Sequence, residues 1–196
     1  MYTLEEIRAA LAGYAPPELA GRRRAAVAVV LHDAADGPEA LFIERAERLG
    51  DPWSGQMAFP GGRIDPGDVD ARAAAERETR EEVGLDLATA ECLGRLGDVD
   101  AGIRVVAPLV LSAFVYVVPT RPSLVPNHEV REALWVPVRR LFDPIHHVDH
   151  RWGLGRFPGI LVGEPGRHVV WGLTYRLVEE LLGLGGVDLG DVRARR

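Results

Sequence analysis

Apolar and polar positions along this chain alternate with two periods. Residues 25–31, Ala-Ala-Val-Ala-Val-Val-Leu, form an unbroken apolar, partly β-branched run and predict a buried strand. Residues 33–38 read as a turn, and 40–45 as the partner strand of a hairpin, ending at Arg45. Residues 56–59 are a short extended lead into Phe59-Pro60-Gly61-Gly62. Strands follow at 91–98, at 105–118, which is long and apolar enough to be central, and at 130–136. The helical period appears three times. Leu4, Ile7 and Leu11 form one stripe behind a Thr3…Glu6 capping box, predicting a helix over 3–13. Alanines and charged residues from Ala71 to Val83 predict a second helix, with Asp68 or Asp70 as N-cap and Gly84 as the terminating glycine. Leu173, Leu177, Val178 and Leu181 share a face of a final helix over 169–182. Residues 139–142 give a single helical turn, 144–166 show little periodicity and read as a loop, and the tail 183–196 reads as frayed. Strands, a central helix, more strands and a terminal helix predict an α/β fold, a mixed sheet sandwiched between helices, as one domain over 1–196 with its core at 25–182.

The second helix carries the chemistry. Glu78, Glu81 and Glu82 stand at i, i+3 and i+4, so their carboxylates share one face. They repel each other, and they sit in the last turns, where the helix dipole disfavours anions. A bound divalent cation reverses both penalties, and hard oxygen ligands suit Mg²⁺ or Mn²⁺. A solvated helix with salt bridges through Arg72, Glu76, Arg77 and Arg80 is the competing reading. Upstream, Gly61-Gly62 allows close backbone approach, and Asp65-Pro66-Gly67-Asp68 makes a second turn.

The stretch Phe59 to Leu85 as a whole resembles the box of the Nudix hydrolase family: a glycine, an acidic residue, then Arg-Glu-apolar-x-Glu-Glu-x-Gly-apolar, here Arg77 to Leu85 with Thr79 in the apolar slot. Asp68 stands where glutamate is usual, and one extra residue separates it from Arg77. Leu41 to Ala46, the run Gly55…Phe59-Pro60-Gly61-Gly62, and Val170-Trp171-Gly172-Leu173-Thr174 further resemble the coenzyme A pyrophosphatase branch. The resemblance implies a Nudix-type α/β/α sandwich with a loop-helix-loop motif. It also implies metal-dependent hydrolysis of a nucleoside diphosphate conjugate, coenzyme A or acyl-CoA first, with ADP-ribose or a related metabolite as the alternative. A non-catalytic nucleotide-binding module ranks below both. The implied metal ligands are Glu78, Glu81 and Glu82 with the Gly62 carbonyl, and Arg77 orients Glu78. Glu81, Glu82 or Glu129 is the candidate general base. Arg45, Gly55, Phe59, Pro60 and Gly61 are the expected substrate contacts, with Arg48 and the run Arg22 to Arg24 as further cations for phosphate.

Composition narrows the setting. A net charge of −6 argues against a general nucleic-acid or membrane-surface binder. Every basic side chain is arginine, which excludes a lysine nucleophile. Cys92 is the only cysteine, so no intrachain disulfide or cysteine zinc site is available. No apolar run spans a membrane and no signal-peptide layout is present, so a cytoplasmic enzyme acting on a small molecule is expected. Whether it forms a homodimer is left open. The cluster His146, His147, Asp149 and His150 lies in a segment without regular spacing, and substrate wall or plain surface is the expected role rather than a metal site.

Overall fold

The computed structural model describes residues 2–21, 23–100 and 109–196, with the Arg23 side chain not described. Thr3 caps helix α1, Leu4–Leu11, through the reciprocal Thr3–Glu6 hydrogen bonds of a capping box. Strands β1 (Arg23–Ala34), β2 (Gly37–Arg45), β3 (Met57–Ala58) and β4 (Gly61–Arg63) precede helix α2, Ala71–Val83. Then come β5 (Glu91–Arg95), β6 (Val99–Asp100), β7 (Leu109–Val118), β8 (Val130–Pro137) and the short helix α3, Val138–Leu141. A second set follows: β9 (His147–Trp152), β10 (Gly155–Leu161), β11 (Val169–Trp171), α4 (Gly172–Leu184) and α5 (Leu189–Ala194).

The main sheet runs β3-β2-β1-β7-β5, with β4 added on β1, β6 on β7 and β8 on β2. β1 and β7 are parallel and the other pairs antiparallel, so the sheet is mixed. Alternation along β1 and β2 sorts the core. Val27, Val29, Ala40 and Phe42 face α1, α4 and α5, whereas Ala26, Ala28, Leu41 and Ile43 face α2. Small alanines on both α2 (Ala74, Ala75) and β1 let that helix lie close to the sheet. The result is the α/β sandwich expected from the pattern.

Three expectations are corrected. Residues 144–166 are not an irregular loop: β9 and β10 form a hairpin, and β11 extends it to a three-stranded sheet. Its two-residue loop has Gly153 at φ 57°, as a type II′ turn requires at its first position. Exposed side chains on both faces of the hairpin tip hid the period of two. The final helix starts at Gly172, because residues 169–171 are strand. The tail is not frayed: Asp188 caps α5, which buries Leu189 and Val192. Of the expected strand over 105–118, residues 105–108 lie outside the described residues, as does Arg22. Among the described residues no helix is long and apolar enough to cross a membrane.

Candidate active site

The two box glycines have different tasks. Gly61 sits at φ 148°, and a Cβ there would strike the Ala26 carbonyl oxygen and the Val27 backbone, so only glycine lets β4 lie against β1. A Cβ on Gly62 would stand 2.5 Å from Cδ of Glu78. The second glycine therefore keeps open the space that the Glu78 carboxylate occupies.

Asp70 caps α2 by accepting from the Ala73 N–H at 2.7 Å, and Gly84 ends the helix in the left-handed region at φ 71°. This fixes the rotation that sends Glu82 inward. Glu82 is 1% exposed, and Oε2 accepts from the Gly61 N–H at 2.8 Å. Burial pushes its carboxyl up to about 7, against the Gly61 hydrogen bond and the charge of Arg45, with Glu78 and Glu129 adding repulsion. Burial likewise raises Glu78, opposed by Arg77 and reinforced by the charges of Glu81 and Glu129. Three carboxylates, Glu78 and Glu82 from the helix and Glu129 from the segment before β8, thus line one cleft, and the charge of Glu129 adds to the raised proton affinity of the two helix glutamates.

Arg77 organises the outer side. It clasps Asp68 through two bonds of 2.9 Å, donates to Glu78 at 2.9 Å and Glu81 at 3.2 Å, and reaches the Arg63 carbonyl. Asp68, at the position where the box usually has glutamate, is therefore the anchor of Arg77. Its own carboxyl is lowered chiefly by those hydrogen bonds. Thr79, in the apolar slot, is fully buried and satisfies its hydroxyl on the Ala75 carbonyl at 2.7 Å.

The cleft holds about 960 Å³. Arg45 lines it, bound to Asp51 at 3.0 Å and 3.7 Å from Glu82. Arg48 reaches Glu129 at 3.3 Å. Phe59 forms part of the lining while stacking on Phe42, ring centroids 4.6 Å apart. The lining also includes apolar side chains, Val27, Leu109, Leu111, Leu173 and Leu177. Not every predicted contact gathers here. Gly55 and Pro60 are not lining residues, and Pro60 accepts from the Ala28 N–H instead. Glu81 is off the lining and more exposed, held by Arg77. Arg24 lines the cleft but is engaged with Asp98 and Ser112.

Sequence reasoning missed Arg63, Asp51 and Thr174. Arg63 lines the cleft with no acidic partner among the described residues. Its place directly after Gly62, on the short strand that borders the cleft, was the available signal. Thr174 donates to the Met57 carbonyl at 3.0 Å, tying α4 to the cleft wall.

The histidines go elsewhere. His147 is buried with Nε2 3.0 Å from the Leu141 carbonyl, and His150 packs at a tilt against Trp171, ring centroids 4.7 Å apart. Three positions apart on β9, the two project to opposite faces of the strand. A different trio, Glu44, Glu132 and His168, has ligand atoms within 4.8 Å of one another. Its bonding argues for an ion-pair lock instead. His168 Nδ1 accepts from the Glu164 N–H at 2.9 Å, so Nε2 carries the proton and has no lone pair for a metal. Arg167 already bridges the carboxylates, 2.5 Å from Glu44 and 2.6 Å from Glu132. Burial raises the Glu44 carboxyl, but bonding and charge from Arg167 outweigh it and leave Glu44 below the usual range.

A glutamate-bearing helix behind a glycine turn, packed on a mixed sheet and facing a cation-rimmed cleft, defines a diphosphate hydrolase of the loop-helix-loop type. The NUDIX domain family model matches residues 22–154, and the chain belongs to the Nudix hydrolase family. The chain is 37% identical to the human mitochondrial coenzyme A diphosphatase NUDT8, over 82% of the chain and 68% of that protein. It is 39% identical to an uncharacterized Schizosaccharomyces pombe protein over 55% of the chain, and that match spans about a third of the yeast protein, 34%. Among solved structures, a MutT/nudix family protein from Enterococcus faecalis superposes with TM-score 0.57 at 17% identity, covering 93% of this chain and 69% of that one. Nudix hydrolases work with a divalent metal, and the oxygen donors on α2 beside a side-chain-free Gly62 fit such an ion.

Proposed function

We propose that this chain hydrolyses the diphosphate of coenzyme A or an acyl-CoA, giving 3′,5′-ADP and 4′-phosphopantetheine, with Mg²⁺ or Mn²⁺. The observation that carries hydrolysis is the convergence of Glu78, Glu82 and Glu129 on one cleft whose walls also hold Arg45 and Arg63. Similarity to a coenzyme A diphosphatase over most of the chain supports the substrate. Glu78 and Glu82 would hold the ion with the Gly62 carbonyl beside them, and Glu81, off the lining and held by Arg77, would join them only on release from that pair. When bound, the ion neutralises diphosphate charge and lowers the pKa of water.

The chain's own residues do the rest. Arg77 fixes the Glu78 carboxylate from behind, so that it does not turn out to solvent. Glu129 lines the cleft from the segment bonded to the end of α2 and takes the proton of the attacking water. Its hydrogen bond to Arg48 is exposed, so it stays free to exchange that proton. Arg45 and Arg63 bind substrate phosphates, and planar guanidinium forks suit that task. The apolar side chains of the lining take the pantetheine arm.

Coenzyme A differs from dephospho-CoA only by its 3′-phosphate. Initial rates on coenzyme A, dephospho-CoA and ADP-ribose, with products identified by mass, test the assignment. Coenzyme A is expected to have the highest kcat/KM, and Arg63→Ala to narrow its lead over dephospho-CoA. Faster turnover of ADP-ribose than of either would discard the coenzyme A reading and leave diphosphate hydrolysis in place.

A further inference from the structure

The β9–β10 hairpin carries a surface that the cleft chemistry does not use. Around its Gly153-Leu154 loop, Leu154 is fully exposed, Trp152 is 46% exposed and Phe157 38%. Alternation puts Trp152 and Phe157 on the face of Trp171, each with ring centroids 5.5 Å from it. The opposite face carries Asp149, Arg151 and Arg156. Arg151 and Arg156 are cross-strand partners, an arrangement that like charges destabilise. Neither has an acidic partner among the described residues. Asp149, the acid on that face of β9, is already held by Arg193 at 3.5 Å and Arg196 at 3.4 Å. Arg195 is exposed beside them on the end of α5. A chain of net charge −6 thus gathers Arg151, Arg156, Arg193, Arg195 and Arg196 about one hairpin with three exposed apolar side chains.

We propose that this hairpin docks the protein on the surface of an anionic phospholipid bilayer. Leu154 enters deepest, Trp152 and Phe157 sit at headgroup level, and the arginines contact lipid phosphates. Aliphatic tips and aromatic flanks suit the hydrocarbon boundary, and guanidinium stems reach outward past it. Charge complementarity selects anionic lipid, and the acidic remainder of the protein turns away from it, so docking is oriented. Single-stranded nucleic acid also takes arginine and aromatic rings, but it needs open ring faces for stacking. Here the rings turn toward Trp171, and the most exposed apolar group at the tip is aliphatic. Because Trp171 runs directly into Leu173 and Thr174, which line the cleft, docking holds the cleft beside the bilayer.

Co-sedimentation with phosphatidylcholine vesicles, with and without phosphatidylglycerol, tests this. The full chain is expected to pellet only with the anionic vesicles, and to be released by high salt. Each arginine near such a surface is worth about fivefold in partitioning, so Arg151→Gln with Arg156→Gln is expected to weaken binding about 25-fold. Leu154→Asp is expected to abolish it. These side chains are exposed and outside the cleft, so hydrolysis of a soluble diphosphate at the wild-type rate serves as the folding control. The milder Leu154→Ser serves if the aspartate variant misfolds. Failure of the wild type to pellet overturns the proposal, as does equal binding by the variants. Arginine-dependent binding to single-stranded oligonucleotide, or dimerisation abolished by the same substitutions, without vesicle binding, overturns it too.

Discussion

Glu82→Gln separates stability from catalysis. Glu82 is buried, and its carboxyl is moved from 4.5 to about 7, chiefly by loss of solvent, which places about 3 kcal/mol of penalty on its ionised form. The amide oxygen introduced by the substitution still accepts from the Gly61 N–H, and no charge is left behind. A carboxyl raised in the folded state contributes full stability below its unfolded value of 4.5 and loses it as pH rises toward 7. The metal-free wild type should therefore fall behind the variant through that window, and the gap should level off above it. For a chain of this size 1 kcal/mol is about 2–4 °C in Tm, so the variant gains at most about 6–12 °C at pH 8. The gain is an upper bound because Arg45, 3.7 Å away, loses an anionic neighbour, although Asp51 retains it. The assay is thermal unfolding in chelator from pH 4 to 9, beside kcat with Mg²⁺ at pH 8, where several orders of magnitude should be lost. A pH-independent gap, or a variant less stable than wild type at pH 8, would refute the reasoning about burial. Near wild-type turnover would refute the metal assignment.

Gly62→Ala places a methyl on the Glu78 carboxylate, so turnover should drop at least about 100-fold while the metal-free fold, lacking any left-handed φ at that position, is retained; circular dichroism and kcat check both. Arg77→Met unclasps Asp68 and frees Glu78, and a weaker Mn²⁺ affinity by calorimetry is expected at near-constant secondary structure. Replacing His146, His147 and His150 together by Gln should leave the metal content by elemental analysis unchanged but lower the denaturant midpoint, because His147 is buried and bonded to Leu141. Glu44→Ala removes the buried partner of Arg167 and should lower the urea unfolding midpoint, with Glu132 and Glu164 still holding the solvated guanidinium and limiting the loss.

The box helix was legible to the residue, Ala71 to Val83, because a cap, an alanine face and a terminal glycine agree there. β1, β2 and β7 were legible from apolar runs that are largely buried on both faces, whereas β4, over glycines that read as a turn, and β6 were not. What hid was structure whose signal is tertiary. β9 and β10 expose polar and aromatic groups on both sides, and their pairing rests on a turn glycine amid other glycines. α5 buries little beyond Leu189 and Val192, so its short apolar pattern could not stand out from a basic tail. Within the site, spacing revealed carboxylates that share a helix face. It could not reveal that Asp68 would close on Arg77, that Asp51 would retain Arg45, or that Arg63 would meet no acidic partner among the described residues. Those depend on which loops meet in space.

The parallel pairing of β1 with β7 has a consequence for biosynthesis. β1 and β2 are joined by a tight turn and can zip together within about 1–10 μs of emerging. The other edge of β1 must wait for β7, which ends at Val118. At ribosomal rates of about 5–20 residues per second, that wait is on the order of ten seconds. Throughout it, Val27, Val29 and Leu31 lie along an open strand edge, which nascent neighbours on the same message can pair with. Yield of this protein in a heterologous host should therefore respond to translation speed across residues 35–118 and to holdase chaperones more than to substitutions that stabilise the finished fold.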